Sequence, residues 1–348
     1  MNNQGKFINY TEKTITKEGL ENSSAWIVPK NSILYSIYAS VGFIAINNIN
    51  LSTSQAIYSI ILKDNVDINY IYYYLQNLKK NIHKYIETGT QGNLNSKIVQ
   101  NFNIKIPSLN EQKRIGNFLS LIDEKIELLE KKLCLMKKFK KNLLNTIFSN
   151  KHSKNNKNDW KIIKINQMGT FTNGVGFKKK YQGYENFSIP FFKVSDMNLK
   201  TNKKYMIKSN NTVNNKICNE LRIKPIMKPS IIFAKIGAAI YLERKRIVKK
   251  PFLIDNNMLA FQVDKKFDLE FVYYLFLNIK FSKYAQLTAL PSITQKDIGN
   301  IKCLVPNIIK QKNISNSLIL IDEKIKYYEN KIFMIKQFKK GLLQKMFV

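Results

Sequence analysis

The chain has 348 residues, 44% apolar and 12% aromatic, enough for two domains with cores of their own plus connecting elements. Its formal net charge of +33 argues for a polyanionic partner, nucleic acid first and an anionic membrane surface second; an AT-rich coding bias would raise Glu along with Lys, yet acidic residues are scarce. No apolar run is long enough to span a bilayer and Met1–Tyr10 has no signal-peptide core, while three scattered cysteines and two histidines form neither a disulfide framework nor a metal set, which fits a reducing cytoplasm.

In chain order, residues 1–105 read as mixed strands and helices. NSILYSIYASVGFIAI (31–46) has the pattern of a buried strand pair or strand–turn unit, and DINYIYYYLQNL (67–78) that of a helix with an aromatic face. A polar, glycine-bearing loop (88–96) leads to a short apolar strand ending at Pro107. Ser108 with Glu111 three residues later predicts a capping box that opens a long helix over 106–148. Lys137, Lys138, Lys140 and Lys141 complement the negative end of that helix, or simply form a solvated face. Residues 149–159 are polar and basic, a linker. Trp160 opens a second globular stretch to Leu304, with strands near 230–236 and 257–263 and a helix over 269–278. A second long helix occupies 305–348. Cys134 and Cys303 have apolar neighbours and read as small buried hydrophobes.

The two long helices are copies. At a constant offset of 199 residues, 21 of 43 positions in 106–148 recur in 305–347 without a gap. In each, apolar residues step by four and three: Ile115, Leu119, Ile122, Ile126, Leu129 and Leu133 in the first; Ile314, Leu318, Ile321, Ile325, Tyr328 and Ile332 in the second. This stripe suits left-handed pairing, and each rod of about 57 Å has the other as its natural partner, against the alternative that each lies on its own domain. The repeat extends outward: SILYSI (32–37) matches SIIFAK (230–235), and GNLNSKIVQN (92–101) aligns with PSITQKDIGN (291–300). The chain is a globular domain plus a long helix, twice over. Nothing in the first half matches Trp160–Lys203, so the first domain is expected to lack strands that its core would pack against, and to be inactive, misfolded or completed by another chain.

Catalytic motifs are missing. There is no phosphate-binding glycine loop with its lysine and no dinucleotide fingerprint; Gly174–Gly176 reads as a turn, and Asp123–Glu124 and Asp322–Glu323 as solvent-facing or interhelix ion pairs. The basic side chains are unevenly placed. Residues 1–105 carry 10 basic and 6 acidic residues, whereas 160–304 carry 26 and 9. GFKKKYQGY (176–184) sets Lys178, Lys179 and Lys180 beside Tyr181 and Gln182, lysines for phosphates and Gln or Tyr for base edges. Arg244, Lys245 and Arg246 make a second cluster, and Lys193, Ser195 and Lys235 are further DNA-contact candidates. Two polar loops precede the rods: Gln91, Asn93, Asn95 and Lys97 in the first half, Ser292, Thr294 and Lys296 in the second. Solvated loops and ordinary turn chemistry are the competing readings of these groups. Two similar heads on a helix pair suit two half-sites with an unread spacer.

The Trp-led domain, the phrase GVGFKKKYQGYENFSIPFFKVSDM (174–197), and the (I/V)P-to-helix junction followed by EQKRI (111–115) or KQKNI (310–314) resemble the specificity subunit of type I restriction–modification systems. The resemblance covers nearly the whole chain. It implies an α+β fold: two similar α/β target-recognition domains (1–105 and 160–304) separated by two long antiparallel coiled-coil helices with an internal pseudo-two-fold repeat. It also implies a bipartite double-stranded DNA target and docking of methylation and restriction subunits. Adenine methylation and ATP-driven cleavage then belong to those partners; this chain is expected to be non-catalytic, with no metal, cofactor or membrane contact of its own. Two other readings stay open: the detached specificity region of a single-chain restriction–methylation enzyme, and a helical scaffold with incidental charge.

Overall fold

A computed structural model of the chain describes residues 4–38, 40–79, 82, 94, 96–149, 160–286 and 290–347. It divides into two compact units, Met1–Cys134 with Lys326–Val348, and Leu135–Ile325. Each unit takes one globular part, the start of the rod that follows it and the end of the other rod.

In the first unit the strands β1 (Phe7–Ile8), β2 (Ile33–Ser36), β3 (Ile44–Asn47) and β4 (Ile57–Ile60) form a sheet in the order β1-β3-β2-β4. Only the β1–β3 pair is parallel. A short helix, α1 (Lys17–Glu21), lies between β1 and β2 in the chain. Helix α2 (Ile68–Leu78) starts at Asp67, whose carboxylate accepts from Tyr70 N at 2.8 Å. Its face Tyr70–Leu75 is buried with β2 and β3 in one core cluster. After α3 (Ser96–Gln100) comes the first rod, α4 (Leu109–Ile147). Ser108 Oγ accepts from Glu111 N at 3.4 Å, but the Glu111 carboxylate faces Arg114 at 3.5 Å, so the expected capping box is made in one direction only.

The second unit repeats this plan and adds to it. Its strands are β5 (Trp160–Lys164), β6 (Gly169–Asn173), β7 (Ile189–Phe192), β8 (Thr212–Val213), β9 (Ser230–Ala234), β10 (Lys245–Val248), β11 (Leu253–Ile254), β12 (Met258–Val263) and β13 (Lys302–Pro306). They form a β10-β9-β12-β6 sheet, a β11-β7-β8 sheet and a β13-β5 pair. Helices α5 (Asn215–Leu221), α6 (Leu269–Asn278) and α7 (Gln295–Gly299) precede the second rod, α8 (Ile308–Met346). Strands β2, β3 and β4 correspond to β9, β10 and β12, and α2 corresponds to α6. The parallel Tyr205–Ile247 bridge stands where β1 meets β3.

Two strand positions differ between the units. In the second, β12 is flanked by β6 and β13 by β5. In the first, among the described residues, no strand lies on the far side of β4, and residues 103–107 form no strand at all. The strand expected before Pro107 is therefore corrected to irregular chain: its counterpart β13 is a strand because β5 pairs with it.

The rods run antiparallel within each unit. In the first, Asp123 meets Lys339 at 2.7 Å, Glu130 meets Lys336 at 2.6 Å, and Lys132 lies 5.6 Å over the Tyr328 ring, so one residue number rises as the other falls. In the second, Lys140 pairs with Asp322. The two Asp–Lys bridges are images of each other at the 199-residue offset. All twelve stripe residues are buried or half-buried. Ile115, Leu119 and Ile122 join Leu342 and Leu343 in the first core, and Ile314, Leu318 and Ile321 join Leu143 and Leu144 in the second. Leu119 and Leu318 are fully buried, worth about 1.5–3 kcal/mol each. Cys134 is exposed, contrary to expectation, because it lies one residue off the stripe beside Leu133; Cys303 is buried, and burial pushes its thiol up to about 12. No described helix is long and apolar enough to cross a membrane.

Candidate nucleic-acid interface

A tight backbone approach sets the position of the lysine triplet. A Cβ on Gly174 would fall 1.7 Å from Asp255 O, so glycine lets this chain segment lie against the end of β11, where Val175 N donates to Ile254 O at 2.9 Å. Gly174 thus does more than turn the chain: it delivers the loop that follows. Phe177 stacks on Phe191 with ring centroids 3.8 Å apart, and Tyr181 is buried in the same cluster. Tyr181 is therefore an anchor and not the base-contacting group expected; Tyr184, half exposed, packs on Phe187 with ring centroids 5.6 Å apart. Lys178, Lys179 and Lys180 all face solvent. Lys180 lies 4.5 Å over the Tyr181 ring and 2.9 Å from Glu220, and these contacts hold its ammonium above the ordinary lysine value. Lys178 and Lys179 have the less restrained charges.

Gln182 accepts from Lys193 Nζ at 2.9 Å and donates to Phe177 O at 2.9 Å. Asp196 takes Lys193 N at 2.8 Å, leaving Ser195 exposed on the next turn, and Asn198 on that turn contacts Arg244. Residues 178–182, Lys193, Ser195 and Arg244 are thus brought to one surface of the second unit. Lys235 belongs elsewhere. Its Nζ reaches Asn173 Oδ1 at 2.8 Å and its carbonyl accepts from Ile293 N at 2.9 Å, joining it to the loop of Ser292, Thr294 and Lys296.

Three candidates have structural duties. Lys245 is buried and paired with Glu243, and its Nζ also donates to Ile279 O at 3.0 Å; burial lowers its pKa. It lies on β10 facing the core, so it leaves the DNA-contact set. Arg246 donates through Nε to Asn202 O at 2.5 Å and through a terminal nitrogen to Lys245 O at 2.8 Å, and burial lowers its pKa too. Thr294 caps α7 in a reciprocal box with Asp297, donating 2.7 Å to its carboxylate and accepting from its N–H at 3.2 Å. Turn chemistry is the better account of Thr294. Lys296 is exposed and Ser292 half-buried. Of the first-half loop, Gln91, Asn93 and Asn95 lie outside the described residues, and Lys97 is exposed in α3.

Sequence reasoning missed two features. The first is a polar node repeated in both units. In the first unit Tyr73 OH donates to Asp123 at 2.8 Å, while Lys6 Nζ donates to Asn69 at 2.7 Å and Ser120 at 2.9 Å. In the second, Tyr274 OH donates to Asp322 at 2.7 Å, and Lys204 Nζ donates to Tyr274 OH at 2.7 Å and meets Glu270 at 2.9 Å. Burial, with Lys339 close by, pulls Lys6 down to about 8. Gln112 and Gln311 add matching clamps, each accepting at 2.9 Å from the N–H of the helix-capping Asp67 or Asp268. Each node ties a globular part to both rods of its unit. The second feature is a row of exposed apolar residues on the outer faces of the rods: Leu121, Leu128, Leu135 and Phe139 on α4, and Leu320, Tyr327, Met334 and Phe338 on α8. The first three on each rod recur every seven residues and the fourth follows four later, a second stripe visible in the sequence. Among the described residues no group of three or more His, Cys, Asp or Glu could hold a metal.

The family described as "Type I restriction modification DNA specificity domain" matches residues 1–136 and 157–337, nearly the whole chain. The chain belongs to this family. Curated relatives in the archaeon Methanocaldococcus jannaschii include the type I restriction enzyme MjaIX specificity subunit, 24% identical over 362 residues spanning 98% of this chain and 82% of the relative. The MjaVIII specificity subunit is 24% identical over 298 residues, 80% of this chain and 69% of the relative. Among solved structures, the type I restriction–modification S subunit from M. genitalium superposes with a TM-score of 0.62 at 18% identity, covering 99% of this chain and 88% of that one. A chain from a structure on complex assembly and conformational transition of the type I system gives 0.60 at 13% identity, over 94% and 85%. These superpositions show the fold: mixed α and β, two domains and long helices, as the resemblance implied.

Proposed function

We propose that the chain is the non-catalytic DNA sequence-recognition subunit of a type I restriction–modification complex in the cytoplasm. Two family matches, one on each half of a chain whose rods are copies, are the observation that carries this reading. The double-stranded target is bipartite, with residues 1–105 and 160–304 as target-recognition domains, 106–148 and 305–348 as rods, and 149–159 as linker. In the second domain the contact surface comprises Lys178, Lys179, Gln182, Lys193, Ser195 and Arg244, with Lys235, Ser292 and Lys296 on a second patch. Lysines there neutralise phosphates, and Gln182 and Ser195 reach base edges. Methylation and restriction subunits supply the chemistry. The outward apolar rows on the rods, exposed side chains with no described core to cover them, are the docking faces for the methylation subunits.

The experiment is duplex binding measured against salt, for this chain with its methylation subunits. Sequence-selective binding with a steep salt slope is expected. A complex whose binding and modification are the same with and without this chain would overturn the reading.

A further inference from the structure

The second unit provides a template for what the first leaves open. There, β5 lies antiparallel on β13, pairing Trp160 with Pro306 through to Lys164 with Lys302. The chain then makes a short turn that buries Ile165 and Met168 completely and returns as β6 along β12, pairing Gly169 with Val263 through to Asn173 with Leu259. Gly169 passes so near β12 that a Cβ would fall 2.2 Å from Gln262 O, and Phe171 packs on Phe261 at 4.8 Å between ring centroids. Fourteen consecutive residues thus cover two strand edges at once.

Among the described residues, both edges exist in the first unit without that cover. Strand β4 and Ile61 correspond to residues 258–262, and 103–107 to β13. Val305 is 3% exposed, while its counterpart Ile106 is 51% exposed; Ile61 is 57% exposed. Phe261 is fully buried, and its counterpart Ile60 only half so. Tyr70 and Tyr74 hydroxyls donate to Lys105 O at 2.7 Å and Asn103 O at 3.2 Å. In an extended segment backbone groups alternate in direction, so those of Ile104 and Ile106 turn the other way. The second unit uses the matching side: Ile165 N donates to Ile301 O at 3.1 Å, two residues before Cys303 and four before Val305. One position facing the turn in the second unit is bulkier in the first. Position 299, a glycine whose added Cβ would lie 3.3 Å from Asn166, is Gln100 in the first unit, and its Nε2 reaches back to Tyr58 OH at 2.8 Å.

We infer that the first unit takes up, along β4 and residues 103–107, an added strand–turn–strand segment with the pattern of Trp160–Asn173. The added segment pairs its first strand with 103–107 and its second with β4, buries the two apolar residues of its turn against the first core, and displaces the Gln100 side chain. Strand addition supplies main-chain hydrogen bonds for affinity and alternate side chains for selection, and it removes an exposed apolar edge that invites aggregation.

The test is titration of the full chain into a fluorescein-labelled peptide of residues 160–173, with amide hydrogen exchange read on the same mixture. Saturable binding is expected, with slowed exchange at 57–61 and 103–106 and none at 258–263 or 302–306. The peptide carrying Ile163→Pro and Phe171→Pro should not bind. In the chain, Ile106→Lys, at an exposed position that leaves the fold alone, should weaken binding several-fold, and Gln100→Gly should tighten it. The inference is overturned by absence of saturable binding, by equal binding of the proline peptide, or by protection confined to 258–263 and 302–306. Any of these leaves the recognition-subunit reading untouched.

Discussion

Lys178 and Lys179 stand free on a loop anchored by the buried Tyr181, whereas Lys180 is drawn toward Glu220. Replacing Lys178 and Lys179 with Ala should lower duplex affinity across sequences and reduce the magnitude of the log K against log salt slope by up to about 2, with Lys180→Ala adding less. A salt titration with unchanged slope would remove these lysines from the interface. Gly174→Ala, by forcing β11 and the loop apart, should cost about 1–3 kcal/mol in denaturant unfolding. Lys6 makes a pH prediction. Below pH 8 the folded and unfolded chains both hold its proton, and the folded one bears the cost of a buried ammonium. Between about 8 and the ordinary 10.5 the folded chain releases that proton first, so this group's contribution to stability rises with pH. Relative to Lys6→Met, the wild-type unfolding midpoint should gain between about pH 7 and about pH 9.5; a constant difference would refute the burial argument. At this scale the sequence was least informative. Charge told that Lys178, Lys245 and Arg246 are cations, but whether each faces solvent depends on strand register: Lys245 points inward on β10 to Glu243, while Lys178 stands on a loop.

Among the elements, the rods were the most legible because their period is written in the side chains. A stripe stepping by four and three has one buried face, and every stripe residue is covered. Leu119→Ala and Leu318→Ala should each destabilise by about 2–5 kcal/mol in denaturant unfolding, since both side chains are wholly enclosed. A loss under about 1 kcal/mol would mean the rods pack loosely there. The outer row calls for the opposite behaviour: Leu128→Asp and Tyr327→Asp should leave unfolding unchanged and release the methylation subunits in pull-down. The helix at 269–278 was equally plain, whereas the strand before Pro107 was not. Whether an apolar pentapeptide becomes a strand is decided by a partner elsewhere in the chain, and β13 has β5 where 103–107 has none.

For the whole molecule, duplication was the feature from which most else followed. The 199-residue repeat places Asp123 and Asp322, Lys140 and Lys339, and Gln112 and Gln311 in matching roles, and each unit uses them to tie one globular part to both rods. The excess of 26 basic over 9 acidic residues in 160–304 marks the second half as the more strongly electropositive one. That difference is electrostatic and was readable from composition; the surface that gathers residues 178–182 and Lys193 with Arg244 was not, because only the fold brings Arg244 to that segment. The most direct measurement maps methylated positions in DNA exposed to the methylation subunits with and without this chain. Methylation at a fixed sequence motif only when the chain is present, shifting or disappearing when Gln182 and Ser195 are replaced, is the predicted result. Methylation that is absent, or whose sequence context is the same without the chain, would contradict the account.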